Sequence, residues 1–175
     1  MRFTHELSYD AAPDRVREML GDPAFRERVC EAMHASRHTV SVDGATVVVD
    51  QTQPARGIPS FAKRFVGDEI RIVQRETWSD AATASLTLEI PGKPGTFEGT
   101  LTLAAGAAGA AGDGAAGAAG AAGDGAAGTV ESVTGEVRVR VPMVGGKLEG
   151  LVGDLFRTAL QTEQRVGRAW LSGDR

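Results

Sequence analysis

Hydrophobic and polar residues alternate at the start of the chain, a pattern typical of a half-buried β-strand. Two short helices are predicted to follow this first strand. Asp10 is placed to cap the first helix, and Asp22-Pro23 is a start signal for the second. The side chains predicted to share the inward face of the first strand are Phe3, His5, Leu7 and Tyr9.

Six further strands are predicted from alternating or β-branched runs that lie between turn signals. Asp43-Gly44 separates the first two runs and indicates a hairpin. Residues 54–67 contain Pro54, Pro59 and Gly67 and predict a loop with a short helical turn. The six strands cover residues 38–42, 46–50, 69–78, 83–90, 96–103 and 133–141.

One long helix is predicted from Lys147 to Leu171. At about 100° per residue, most of its apolar residues fall on one stripe, which is suited to lie across a sheet. Phe156 and Leu160 fall outside this stripe, so they predict an exposed patch that could support a homodimer. The stripe is centred on Leu155 and contains Leu148, Leu151, Val152, Ala159, Thr162, Val166, Ala169 and Trp170.

Residues 104–128 contain only Ala, Gly and Asp. Such a segment has no large side chain to bury, so it cannot offset the entropy lost on ordering. We therefore predict a flexible loop over 104–128, inserted between the last two strands of a single domain that covers residues 1–175.

Composition narrows the function classes. The net charge of −4 and the pI near 5.4 argue against nucleic-acid binding, which needs a basic surface. No apolar run approaches the ~20 residues of a membrane-spanning helix. One cysteine excludes an internal disulfide framework and favours a cytoplasmic location. Asn is absent and Arg far outnumbers Lys, which indicates a GC-rich, bacterial coding genome.

The strand at 69–78 carries the first candidates for chemistry. Alternation places Gln74, Glu76 and Trp78 on its inward face. A buried carboxylate is costly unless it is paired, and His5 or Tyr9 of the first strand could be the partner of Glu76. Three interpretations stay open at this stage: a satisfied structural network, contact with a ligand, or acid–base catalysis.

Cys30, His34 and His38 follow one another at a spacing of four and are zinc ligands by type. No fourth ligand lies nearby, and the strand-like pattern after Met33 would break their common face. The sequence therefore predicts neither a metal site nor a cofactor.

The order of the elements and three short motifs resemble the START-like, or helix-grip, superfamily, and within it a bacterial domain family of unknown function. The superfamily includes steroidogenic lipid-transfer domains, birch-pollen-type plant allergens and polyketide cyclases. The resemblance implies a sheet that curls round the last helix and a cavity between them. The motifs are Ile58-Pro59 through Phe65-Val66-Gly67, Gln74-Arg75-Glu76-Thr77-Trp78, and Val141-Pro142-Met143-Val144-Gly145-Gly146-Lys147-Leu148-Glu149.

We therefore expect an α+β helix-grip fold with a curved seven-stranded antiparallel sheet, two short helices after the first strand and a long C-terminal helix. The expected function is binding of a lipophilic small molecule between sheet and helix. The alternatives are a cyclase- or dehydratase-type enzyme that uses Glu76 with His5 or Tyr9, and a non-binding homodimeric interaction protein. The candidate ligand-binding residues are His5, Tyr9, Gln74, Glu76, Trp78, Phe97, Leu155, Thr158, Ala159 and Thr162.

Overall fold

The fold is known from a computed structural model that describes residues 1–56, 58–107 and 127–174. The predicted fold class is confirmed: seven strands, two short helices after the first strand, and a long final helix. The elements are β1 (Arg2–Tyr9), α1 (Pro13–Leu20), α2 (Pro23–Ala32), β2 (Arg37–Asp43), β3 (Thr46–Pro54), α3 (Ser60–Val66), β4 (Glu69–Trp78), β5 (Thr83–Glu89), β6 (Gly95–Ala107), β7 (Ala127–Val139) and α4 (Gly145–Leu171).

The strands form one antiparallel sheet in the order β1-β7-β6-β5-β4-β3-β2. Consecutive strands pair as neighbours from β2 to β7, and β1 closes the far side of the sheet by pairing with β7. This arrangement brings the first strand next to the last one, so α1, α2 and α4 meet over the same face of the sheet. Most of the hydrophobic core lies between that face and these three helices.

The two short helices begin differently from each other. Asp22 caps α2 as predicted, because its carboxylate accepts a 2.9 Å hydrogen bond from the Ala24 backbone N–H. Asp10 does not cap α1. This helix begins at Pro13, its N-cap residue is Ala12, and no side chain caps it. Pro13 at the first position of α1 compensates in part, since it lacks the N–H that a cap would satisfy.

The buried face of α4 differs from the predicted stripe by roughly 90° of rotation at about 100° per residue. Phe156 and Leu160, expected on an outward patch, are buried in the core, whereas Leu155, expected at the centre of the stripe, is 45% exposed. Two glycines explain the difference. A Cβ on Gly153 would collide with the Met1 side chain, and a Cβ on Gly167 would lie 2.8 Å from Tyr9 Cε1.

Gly153 therefore packs against the Met1 side chain, and Gly167 packs against Tyr9 of β1. A glycine adds nothing to an apolar stripe read from the sequence. The homodimer patch was a wrong prediction, because Phe156 packs against Phe3 and Phe97, with ring centroids 4.8 Å apart in both pairs.

The predicted loop over 104–128 is shorter than expected at both ends. Ala104–Ala107 continue β6 and pair with residues 127–130 of β7, so the ladder extends into the low-complexity sequence. Residues with small side chains can extend the ladder, because the backbone N–H and C=O groups that form its hydrogen bonds are present in every residue of the segment. Residues 108–126 of the predicted loop lie outside the described residues.

A pair of glycines shapes the middle of the sheet. Gly99 of β6 and Gly135 of β7 face each other in the ladder. A Cβ on Gly135 would lie 2.6 Å from Phe97 Cζ and 2.7 Å from Gly99 Cα, so the Phe97 ring rests directly on this glycine pair. From there it reaches Phe156 of α4.

Gly135→Ala should therefore destabilise the fold by roughly 1–3 kcal/mol, the usual cost of overpacking a core. Gly150→Ala is the matched control: Gly150 lies in α4 with open space around the added methyl group, so this change should stabilise by about 0.5–1 kcal/mol. Urea denaturation of both variants measures the difference. Equal effects of the two changes would contradict the packing of Phe97 on Gly135.

Among the helices of the described chain, none is both long and apolar enough to cross a membrane.

Candidate functional site

A cavity of about 400 Å³ lies between the sheet and the part of α4 from Leu148 to Glu163. Its size falls within the roughly 300–1,000 Å³ of small-molecule sites. The cavity opens to solvent beside Leu155, which lines it and is also exposed. Strands β3 to β7, the end of α2 and the segment around α3 provide the other walls. Its largest apolar side chains include Ile70, Ile72, Leu88, Phe97, Leu151 and Phe156.

Small residues of α4 face the middle of the cavity. Thr158, Ala159 and Thr162 all line it. The Thr158 hydroxyl donates to the Asp154 carbonyl at 3.0 Å, and the Thr162 hydroxyl donates to the Thr158 carbonyl at 3.1 Å. Because each hydroxyl proton is used within the helix, these two threonines offer the cavity only methyl groups and acceptor lone pairs.

The structure separates the ten candidate residues into two groups. Six line the cavity: Gln74, Phe97, Leu155, Thr158, Ala159 and Thr162. The other four do not. Tyr9, Glu76 and Trp78 are buried in the core, and His5 lies half-buried on β1 near Phe3.

A buried ion-pair network closes the inner end of the cavity, with Arg26 of α2 at its centre. The Arg26 guanidinium donates to Glu76 Oε2 of β4 at 2.6 Å and to Glu163 Oε2 of α4 at 3.2 Å. A third bond joins its Nε to the Leu20 carbonyl at 2.8 Å. Arg26, Glu76 and Glu163 are only 2%, 1% and 5% exposed.

Gln74 extends this network to the cavity wall. Its side-chain amide nitrogen donates to Glu76 Oε1 at 2.7 Å. Both oxygens of Glu76 are therefore occupied, one by Arg26 and one by Gln74. The chain of contacts runs from Gln74 through Glu76 and Arg26 to Glu163, and its two ends, Gln74 and Glu163, are the members that line the cavity.

A third buried carboxyl group, Glu131 of β7, lies next to the network. Neither of its oxygens, nor the Tyr9 hydroxyl, makes a hydrogen bond of good geometry to the described part of the chain. Burial raises the pKa of Glu131 well above its usual range, and the nearby Glu163 and Glu76 raise it further. This environment favours the neutral acid form of Glu131.

Glu163 is the carboxyl group that reaches the cavity. Burial raises its pKa to about 7; Arg26 opposes this shift and Glu76 adds to it. A carboxyl group that changes charge near neutral pH at the wall of an apolar cavity can alter the polarity of that cavity.

Sequence reasoning missed Arg26, Glu131 and Glu163. Glu131 lies two residues before Val133, where the predicted last strand began. Because β7 in fact begins at Ala127, the same alternation places Glu131 on the inward face. Glu163 lies three residues after Leu160 and seven after Phe156, the helical spacing of one face. Arg26 carried no comparable signal, because a charged helix residue is normally exposed.

The sequence matches one family model, described as "Protein of unknown function (DUF2505)", over residues 4–171. The chain belongs to this family. A comparison with curated proteins found no match to the sequence.

Solved structures confirm the START-like fold of this DUF2505 member. TTHA0849 from Thermus thermophilus is 17% identical, with a TM-score of 0.62 and coverage of 99% of both chains. Truncated norcoclaurine synthase from Thalictrum flavum is 12% identical, with a TM-score of 0.57 and coverage of 100% of this chain and 94% of the synthase. The Zhui aromatase/cyclase from Streptomyces sp. R1128 is 14% identical, with a TM-score of 0.53 and coverage of 95% of both chains. At these identities the likeness concerns the fold.

Arg26→Met should destabilise the protein by roughly 3–5 kcal/mol, because it leaves Glu76 and Glu163 buried without a cation. Arg15→Met is the control, since Arg15 pairs with Glu18 on the surface and such pairs contribute at most about 1 kcal/mol. Urea denaturation at neutral pH compares the two. A loss below about 1 kcal/mol for Arg26→Met would show that the network does not hold α2 and α4 to the sheet.

The raised pKa of Glu163 predicts a pH dependence of stability. The folded protein binds this proton more tightly than the unfolded chain, so the stabilisation is complete below the ordinary pKa of 4.5 and is lost as the pH rises to about 7. Glu163→Gln should remove this contribution, on the order of 3 kcal/mol, and make the curve of unfolding free energy against pH less steep; the raised pKa of Glu131 keeps part of the slope. Glu18→Gln, at an exposed site, should leave the curve unchanged. A wild-type slope retained in Glu163→Gln would contradict the assignment.

Proposed function

We propose that this DUF2505 protein binds a lipophilic small molecule in the cavity between its sheet and α4. The observation that carries the proposal is the cavity itself: about 400 Å³, with mainly apolar walls and two polar groups tied into a buried network at its inner end. An apolar space of this kind forfeits packing contacts when nothing fills it. Apolar walls with a few placed polar groups are typical of small-molecule sites.

Structural relatives support this proposal at the level of the fold. Norcoclaurine synthase from Thalictrum flavum is known in complex with dopamine and hydroxybenzaldehyde, and its chain superposes on this one with a TM-score of 0.57 at 14% identity, covering 99% of this chain and 87% of the synthase. The same fold can thus hold small aromatic molecules.

The rival functions have less support from the geometry. A cyclase- or dehydratase-type mechanism through Glu76 would need a free oxygen on that carboxylate, but Arg26 and Gln74 occupy both. His5 and Tyr9, its expected partners, do not line the cavity. A homodimer through Phe156 and Leu160 would need those side chains at the surface, and both are buried.

We also propose a cytoplasmic location for the protein, as expected from the sequence.

Ala159→Trp tests the proposal, because Ala159 lines the middle of the cavity and an indole there would fill it. The probe is N-phenyl-1-naphthylamine, whose fluorescence rises in apolar surroundings. We expect wild-type protein to bind it and Ala159→Trp to bind at least about tenfold more weakly, with little change in melting temperature. Gln161→Trp, an exposed position on the same helix, is the matched control and should bind like the wild type.

Two outcomes would overturn this assignment. If Ala159→Trp unfolds the domain, the middle of the helix is already packed and the cavity has no room for a ligand. If the variant folds and binds the probe as well as the wild type does, the ligand lies elsewhere. Native mass spectrometry of protein purified from its own host would then identify any small molecule that is retained.

A further inference from the structure

Gln74 presents an acceptor to the inner end of the cavity. Glu76 is bound to Arg26 at 2.6 Å, so it is held as a carboxylate that can only accept hydrogen bonds. The Gln74 amide must therefore turn its nitrogen toward Glu76, as the 2.7 Å contact shows. The Gln74 side-chain oxygen is left as the group available to a ligand.

Glu163 presents a second acceptor. Its Oε2 accepts from Arg26 at 3.2 Å, while its Oε1 makes no hydrogen bond to any residue in the described ranges. The side chain lines the cavity although it is only 5% exposed. This oxygen is therefore an acceptor at the cavity wall to which a ligand can donate.

Several of the donors on the cavity wall are used within the protein. The hydroxyls of Thr158 and Thr162 donate within α4. On the opposite wall, the Gln53 amide nitrogen donates to Gln51 Oε1 at 3.0 Å, and both glutamine nitrogens also approach Met33 Sδ. On α4 and β4, the oxygens of Glu163 and Gln74 thus remain as acceptors at the cavity wall.

We propose that the inner end of the cavity selects lipophilic molecules that carry a hydrogen-bond donor, such as a phenol or alcohol, over molecules of the same shape that carry only acceptors. The inference rests on the proposed function, since it names the class of ligand for the same site. A hydroxyl group would donate to one of these two acceptors, Glu163 Oε1 or the Gln74 oxygen, whereas an ether or ketone would donate to neither.

Two aromatic probes of nearly equal shape test this selection: 1-naphthol, which has a donor, and 1-methoxynaphthalene, which has none. Isothermal titration calorimetry at about pH 8, above the pKa of about 7 of Glu163, compares them with the carboxylate ionised. We expect wild-type protein to prefer 1-naphthol by roughly tenfold to a hundredfold, as for hydrogen bonds to charged groups. Equal affinities would overturn the inference, while no binding of either probe would count against the proposed function itself.

Glu163→Gln should reverse the polarity of this wall. The amide oxygen of the new side chain has to accept from Arg26, which turns its N–H₂ group toward the cavity. The preference for 1-naphthol should then fall at least about tenfold. Glu131→Gln is the matched control: Glu131 is buried beside the same network but does not line the cavity, so the preference should persist. A full preference in Glu163→Gln would overturn the role of Glu163.

The wild-type protein provides a test that does not depend on a variant folding. Lowering the pH from about 8 to about 6 protonates Glu163, whose pKa is about 7, and gives its free oxygen a proton to donate. The preference for 1-naphthol should weaken over this range, and a constant preference would overturn the inference. The titratable or charged groups that act on Glu163 from the surrounding elements are Arg26 and Cys30 of α2, Glu76 of β4, Glu131 of β7 and Tyr9 of β1.

Discussion

The ion pairs of Arg26 with Glu76 and Glu163 connect the helices to the sheet in this fold. They connect α2, the sheet and α4 through one guanidinium group that water does not reach. A buried cation is tolerated only when its charge and its hydrogen bonds are satisfied. Arg26 meets this condition with two carboxylates and one backbone carbonyl, so the positions of all three elements are coupled at this point.

The same bonds involve two residues of the cavity wall. Arg26 donates to one oxygen of Glu163, and the Gln74 amide nitrogen donates to Glu76. We assign the two remaining oxygens to a ligand. If the cavity binds a ligand as proposed, stability and ligand recognition depend on the same hydrogen-bond network. Glu131 lies beside it, and its burial among like charges favours the neutral form.

The candidate site could be predicted only in part from sequence. Gln74, Ala159 and Thr162 line the cavity as predicted. They could be predicted because alternation in β4 and the small residues of α4 are local sequence patterns. Glu76 was placed inward, and it is buried, but its partner is Arg26 and not His5 or Tyr9. Nothing in the residues around Arg26 marks it as buried, since a charged helix residue is exposed in most proteins.

Local sequence patterns were enough to predict the order and type of the elements, because periods of two and 3.6 residues arise from neighbours along the chain. Tertiary structure decided which face of α4 is buried and which charges meet. Arg26 bonds to residues 50 and 137 positions away, a distance over which local patterns carry no information. Gly153 and Gly167, which have no side chain to count as hydrophobic, lie on the buried face of α4, and much of the predicted apolar stripe lines the cavity.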